Sequence, residues 1–366
     1  MLVKFAVKNY RGFKDRIEID LSKHASYDFN EFVIKNGIIK NGIIYGPNGS
    51  GKSNFSLALF DIVYHLSHTW KKTDYYVNFI NANRLSESVD FEYTFKFDED
   101  ILFYSYSKNA TGVLLQEKLV VNNKQIFERK PDYFFIAEEF PMEDGLKENF
   151  KHNVNNISVV NFLLTSFPLQ KENPLIKLQT FANSMLWFRN LEVREFIGLE
   201  LSGNALLDEY IIKNNLVKDF SDFLYQISNQ KFDFIEPNPA DHYLFCNYNG
   251  NKIQFDYIIS TGTSSLRLLY FWIKRMNDSS FVFIDEFDAY YHFELSYAVC
   301  KYLFSLNCQV FLSSHNTYLM TNDLLRPDCN FIINDNKIKS LNNCTDKDLK
   351  FGHNIEKLYR GNTFQL

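Results

Sequence analysis

The sequence has little of what an extracellular or membrane protein needs. Its 366 residues hold five cysteines, Cys246, Cys300, Cys308, Cys329 and Cys344. None forms a C-x-x-C pair, and none stands beside a histidine at zinc-ligand spacing. A disulfide framework and a zinc site are therefore not expected, and the odd count suits a reducing compartment. No stretch reaches the length of a membrane span, and residues 1–5 open no signal-peptide core. The expectation is a cytoplasmic protein with no membrane partner. Sustained heptads are missing too, which excludes a long coiled-coil arm, and there is no internal repeat or low-complexity tract. The 39 basic residues are scattered without a polybasic tail, and the net charge is −5. That balance argues against a nucleic-acid coat and leaves room only for a local basic groove.

What is present is an ordinary folding composition, 46% hydrophobic and 23% charged. The 37 Phe and 22 Tyr come with abundant Asn, Lys and Ile, so they read as compositional bias rather than a binding surface. Residues 2–7 and 16–21 alternate like the arms of a hairpin around the turn Asn9-Tyr10-Arg11-Gly12-Phe13. A short apolar strand at 43–45 runs into a Gly-rich loop, and residues 53–68 carry the broad apolar face of a helix. From 89 to 129 the period switches to two, which predicts an antiparallel meander. Residues 138–227 read as mostly helical, broken by Pro141, Pro168 and Pro174. Strands return over 232–255, followed by a helix at 264–276, a strand at 281–284, a helix at 293–304, and strands at 309–312 and 331–333. The expected organisation is a first lobe at 1–135, a helical insertion at 136–230 and a second lobe at 231–366.

Gly46-Pro47-Asn48-Gly49-Ser50-Gly51-Lys52-Ser53 fits G-x-x-x-x-G-K-[ST] without a gap. The glycines let main-chain N–H groups curl around phosphate oxygens. The following helix points its positive end at the same anion. Lys52 then reaches the terminal phosphates, and the Ser53 hydroxyl coordinates Mg²⁺. The candidate nucleotide contacts are Gly46, Asn48, Gly49, Gly51, Lys52, Ser53 and Asn54. A strand before the loop and an amphipathic helix after it favour this reading over a chance glycine turn.

Phe281-Val282-Phe283-Ile284-Asp285-Glu286 is an apolar strand ending in two acids. A buried parallel strand delivers such residues to the sheet edge where phosphates sit. Asp285 is the candidate metal residue and Glu286 the group that activates water. Read alone, the pair is also a strand running into a solvated loop. Ser260-Thr261-Gly262-Thr263-Ser264 precedes a helix, 25 residues ahead of the acids (Ser260 to Asp285). By itself it is equally a helix-capping turn. Phe287-Asp288-Ala289-Tyr290-Tyr291-His292 follows the acids, and the strand at 309–312 ends in Ser313-Ser314-His315.

In this order the segments resemble the ABC/SMC-type AAA ATPases. The resemblance covers about residues 1–130 and 230–366. It implies an α/β fold: a P-loop ATPase head with an antiparallel β subdomain and an inserted helical subdomain. It makes Ser260, Gly262 and Thr263 a signature loop that binds the γ-phosphate held by the opposite subunit. It makes Asp288 part of the loop crossing a dimer interface, and His315 the switch histidine. The segment around Arg11 fits both the family's opening motif near the nucleotide and a plain β-turn. His292 fits an interface residue, and Gln116 is a weak match to the family's glutamine loop that fits a strand residue better. The implied ligands are ATP and Mg²⁺, with a homodimer or higher even oligomer closing on them.

Lys52 and Ser260 lie 208 residues apart without heptads, unlike true SMC proteins. The 51 residues after His315 leave no room for the nuclease domain of the related OLD family, although Asp346-Lys347-Asp348 copies the spacing of its metal site. What remains resembles the stand-alone ATPases of bacterial anti-phage systems such as Septu, PARIS and the abortive-infection operons. The tail from Asn354 to Phe364 is similar to theirs. That resemblance implies ATP hydrolysis and control of a separate effector, a nuclease or a toxin. Two other readings stay open: a RecF-like repair ATPase that clamps DNA, and an ATP-locked scaffold with little hydrolysis.

Overall fold

The computed structural model describes residues 1–66, 77–152, 157–189, 195–198, 207–276 and 278–366. Its first sheet grows from the alternating aromatics. In Val89–Phe97 every second side chain is buried, so Phe91, Tyr93, Phe95 and Phe97 line one face. The strand pairs antiparallel with Asp100–Lys108 on one side and Leu2–Lys8 on the other. Leu114–Val121, Lys124–Lys130 and Tyr133–Ile136 continue the meander, and Ile17–Asp20 closes the far edge. The expected hairpin and meander are both present.

The second sheet has the order Glu195–Gly198, Leu186–Arg189, Phe281–Ile284, Gln309–Ser314, Asn41–Tyr45, Asn330–Asn334, Lys337–Ser340. Its five inner strands run parallel, and each edge strand is antiparallel. The inner strands Phe281–Ile284 and Asn41–Tyr45 are buried along their whole length. That is why they read as continuous apolar runs rather than as alternation. Gln309 stitches the two sheets: its Oε1 accepts from the Leu2 N–H at 2.7 Å and its Nε2 donates to the Leu2 carbonyl at 3.0 Å. Helix Lys52–Leu59 packs on Leu2–Lys8, with Phe55 edge-on to Phe5.

Three local expectations change. The helix expected over 53–68 is two pieces, Lys52–Leu59 and Asp61–Leu66, and residues 67–68 lie outside the described residues. The break stands at Phe60, and the second piece opens on Asp61, whose buried carboxylate takes the Lys108 ammonium at 2.6 Å and the Tyr106 hydroxyl at 2.7 Å. The segment 136–230 is not helical throughout. It supplies Leu186–Arg189 and Glu195–Gly198 to the parallel sheet, because Leu186, Trp187 and Phe188 are buried and pair with Phe281–Ile284. The polar tail holds one more strand, Lys337–Ser340, and the short helix Ile355–Arg360.

Candidate functional site

Strand Asn41–Tyr45 carries the chain to Gly46, where only hydrogen fits: a Cβ would stand 2.4 Å from the Ile333 carbonyl oxygen and 2.5 Å from Ser50 Oγ. Gly51 caps helix Lys52–Leu59 at φ +102°, and a Cβ there would meet the Phe13 ring at 2.7 Å. The loop between them folds around the Lys52 ammonium, which donates to the carbonyls of Gly46 at 2.8 Å and Pro47 at 3.2 Å. Burial pushes the Lys52 pKa down, and the nearby carboxylates of Asp285 and Glu286 draw it back up. Asn48 and Gly49 are exposed at the tip.

Phe281–Ile284 delivers Asp285 fully buried and Glu286 exposed. Asp285 Oδ1 accepts from Ser313 Oγ at 2.5 Å. Its Oδ2 has no hydrogen-bond partner and lies 3.8 Å from Arg189 Nη1. Burial raises the Asp285 pKa, the Ser313 and Ser53 hydroxyls oppose the rise, Glu286 adds to it, and Arg189 opposes it. Asp288 accepts from Ser314 Oγ at 2.7 Å, and burial raises its pKa as well.

The parallel sheet brings these groups together. Gln309–Ser314 lies between Phe281–Ile284 and Asn41–Tyr45, so His315, the acids and the phosphate loop emerge at one edge. Asn48, Glu286, Asp288, Tyr291, His315 and Asn316 line one open cleft of about 570 Å³. His315 Nδ1 stands 3.5 Å from the Lys52 ammonium.

Ser260 is exposed just ahead of helix Thr261–Met276. Its hydroxyl accepts from the Thr263 N–H at 3.2 Å and lies 3.0 Å from Thr263 Oγ1, which in turn bonds Gln230. This is a capped helix start with an open face. Gly262 sits against the turn that follows the acids: a Cβ would be 3.2 Å from the Tyr290 carbonyl oxygen. Arg11 adopts φ +45°, clamped by its N–H to Phe79 and by Asn81 to its carbonyl. Its guanidinium reaches Asn54 Oδ1 at 3.4 Å, beside Ser53.

Other candidates fall elsewhere. Gln116 lies in the antiparallel sheet opposite Ser107. His292 caps helix Phe293–Phe304, its Nδ1 accepting from the Leu295 N–H. Asp346 and Asp348 lie in the tail after Cys344. Sequence reasoning gave no role to Ser313, Ser314 or Arg189, which touch the acidic residues directly. The two serines stood in plain view before His315, but their partners are visible only once the strands are paired.

A phosphate loop at the edge of a parallel sheet, next to a strand ending in two acids, defines a P-loop ATPase. Residues 43–321 match the family described as "AAA domain, putative AbiEii toxin, Type IV TA system", and the chain belongs to that AAA family. No curated protein matches the chain. Among solved structures it is similar to an SMC head domain from Thermotoga maritima, with 13% identity and a TM-score of 0.43. That match covers 90% of this chain and 94% of the other. It is also similar to an SMC head bound to the C-winged helix domain of ScpA, with 14% identity, a TM-score of 0.46, and coverage of 93% and 98%. The site suits a nucleotide with a hard divalent cation. The buried Asp285 carboxylate and the Ser53 hydroxyl at the start of the helix after the phosphate loop are hard oxygen donors, and oxygen donors of that kind are what Mg²⁺ takes.

Proposed function

We propose that the chain is a Mg²⁺-dependent ATPase whose two copies close around ATP and whose nucleotide state governs a separate effector protein. The observation that supports this most is the single cleft shared by Asn48, Glu286, Asp288 and His315 beside Lys52. Residues 1–135 and 231–366 form the two ATPase lobes in this reading, with 136–230 inserted between them.

Each residue has a task. The main chain at Gly46, Gly49 and Gly51 approaches the phosphates closely, with Asn48 and Asn54 flanking them and Arg11 next to Asn54. Lys52 carries the phosphate charge. Ser53 and Asp285 hold Mg²⁺, which supplies positive charge against the phosphate oxygens. Glu286 orients a water and takes its proton, and His315 contacts the terminal phosphate. Ser260, Gly262 and Thr263 offer their helix start to the phosphate bound by the partner, and Asp288 stands at the seam. Loss of the bridging phosphate then loosens the pair, a change that an effector can read. The effector assignment rests on the toxin–antitoxin wording of the family description together with the tail at 354–364.

The test is Glu286→Gln. It is expected to bind ATP, to turn over on the order of a hundredfold more slowly or worse, and to accumulate an ATP-bound dimer in light scattering. Unchanged turnover removes Glu286 from the chemistry. Phosphate release that rises only with duplex DNA favours a DNA clamp instead.

A further inference from the structure

Sixteen non-glycine residues among those described adopt positive φ, and fourteen of them are Asn or Asp, which tolerate the left-handed region. The other two are Arg11 and Glu286. Glu286 sits at φ +51°, two residues past the end of the buried strand Phe281–Ile284. For a side chain of that size the conformation costs about 1–3 kcal/mol and persists only when its surroundings enforce it. The contacts around Glu286 identify what enforces it. Its N–H donates to Ser313 Oγ at 2.8 Å, and the next N–H, of Phe287, donates to the Ser313 carbonyl at 3.3 Å. The same Ser313 hydroxyl gives its own hydrogen to Asp285 Oδ1 at 2.5 Å. A hydroxyl has one hydrogen to give and lone pairs to receive, and here the donor and one acceptor position are both used. Ser313 is fully buried in strand Gln309–Ser314, in register with Ile44 of the phosphate-loop strand.

We propose that Ser313 is a positioning residue for hydrolysis: one hydroxyl fixes both acids, Asp285 through its carboxylate and Glu286 through its main-chain N–H. It holds the Glu286 backbone in the left-handed region and so aims that side chain into the cleft. Ser314, the next residue, takes Asp288 at 2.7 Å and the Asn316 N–H at 2.8 Å, so the two serines divide the turn between them. Successive residues of a strand face opposite sides, and this lets neighbouring hydroxyls serve different partners. The inference rests on the reading of Glu286 as the group that activates water.

The test uses full-length Ser313→Ala and Ser313→Cys beside Glu286→Gln. Three quantities are measured: ATP affinity, single-turnover rate, and amide hydrogen exchange at Glu286 in nucleotide-free protein. Ser313→Ala is expected to bind ATP within about threefold of wild type and to turn over about 10–100-fold more slowly, the scale of one lost buried hydrogen bond. Its Glu286 amide is expected to exchange faster. Ser313→Cys keeps the size with a weaker donor and acceptor, and is expected to fall between the two; it decides the matter if the alanine protein does not fold. Wild-type turnover with unchanged exchange in either variant overturns the proposal. So does an equal loss of ATP affinity and rate, which indicates a general structural role. Wild-type turnover in Glu286→Gln defeats the underlying reading instead, and exchange at the Glu286 amide then judges Ser313 alone.

Discussion

The hydroxyl of Ser265 donates to that of Tyr291 at 2.7 Å. This bond ties helix Thr261–Met276, which begins with the signature-like turn, to the loop that follows Asp285 and Glu286. Gly262 presses on the same loop. The loop after the acids and the signature-like turn are thus fastened together. Tyr291→Phe is expected to cost about 1 kcal/mol of stability, the net worth of one hydrogen bond. Gly262→Ala pushes against main chain and must shift the turn. In both variants equilibrium titration is expected to give near-normal ATP affinity while turnover falls. Turnover equal to wild type in Gly262→Ala separates the turn from catalysis.

Lys52→Ala removes the ammonium around which the phosphate loop folds. Mg-ATP affinity is expected to drop by about 2–3 kcal/mol, or roughly a hundredfold, because charge-assisted hydrogen bonds are the strong ones. A fluorescent ATP analogue that binds both proteins equally contradicts the role of the loop.

Asp285 gives a stability prediction with a definite sign. Burial raises its pKa above the ordinary aspartate value of 3.8, so the folded chain holds this proton more readily than the unfolded chain. Stability from this group therefore falls as pH rises from 3.8 through the folded value, and the full penalty is present above it. Asp285→Asn carries no charge and can still accept from Ser313. In metal-free buffer it is expected to resist urea better than wild type near pH 7, with the gap shrinking as pH approaches 3.8. Nucleotide binding should lose its Mg²⁺ dependence in the same protein. Lower stability of the variant at neutral pH refutes this account of the buried carboxylate.

Much of the site could be read locally. The phosphate loop, the strand Phe281–Ile284 and the strand Gln309–Ser314 leading to His315 each carry their signal within a dozen residues, and the structure places them side by side. Leu186–Arg189 could not be read that way. It is four residues long, buried on both faces and paired with a strand nearly a hundred residues later, so neither alternation nor a helical period marks it. Arg189 was missed with it. Ser313 was visible, but its role depends on strand register, which no local pattern of two serines reveals.

The central claim is that each site is completed by the other subunit, and mixed dimers test it most directly. Ser260→Arg keeps Lys52 but blocks the turn offered to the partner; Lys52→Ala keeps the turn but loses the phosphate contact. Each protein alone is expected to be inactive. Mixed one to one, half the dimers pair an intact Lys52 with an intact Ser260 at one of their two sites, and turnover should recover to about a quarter of wild type. Full activity of Ser260→Arg by itself, or a mixture no more active than its parts, contradicts the composite site.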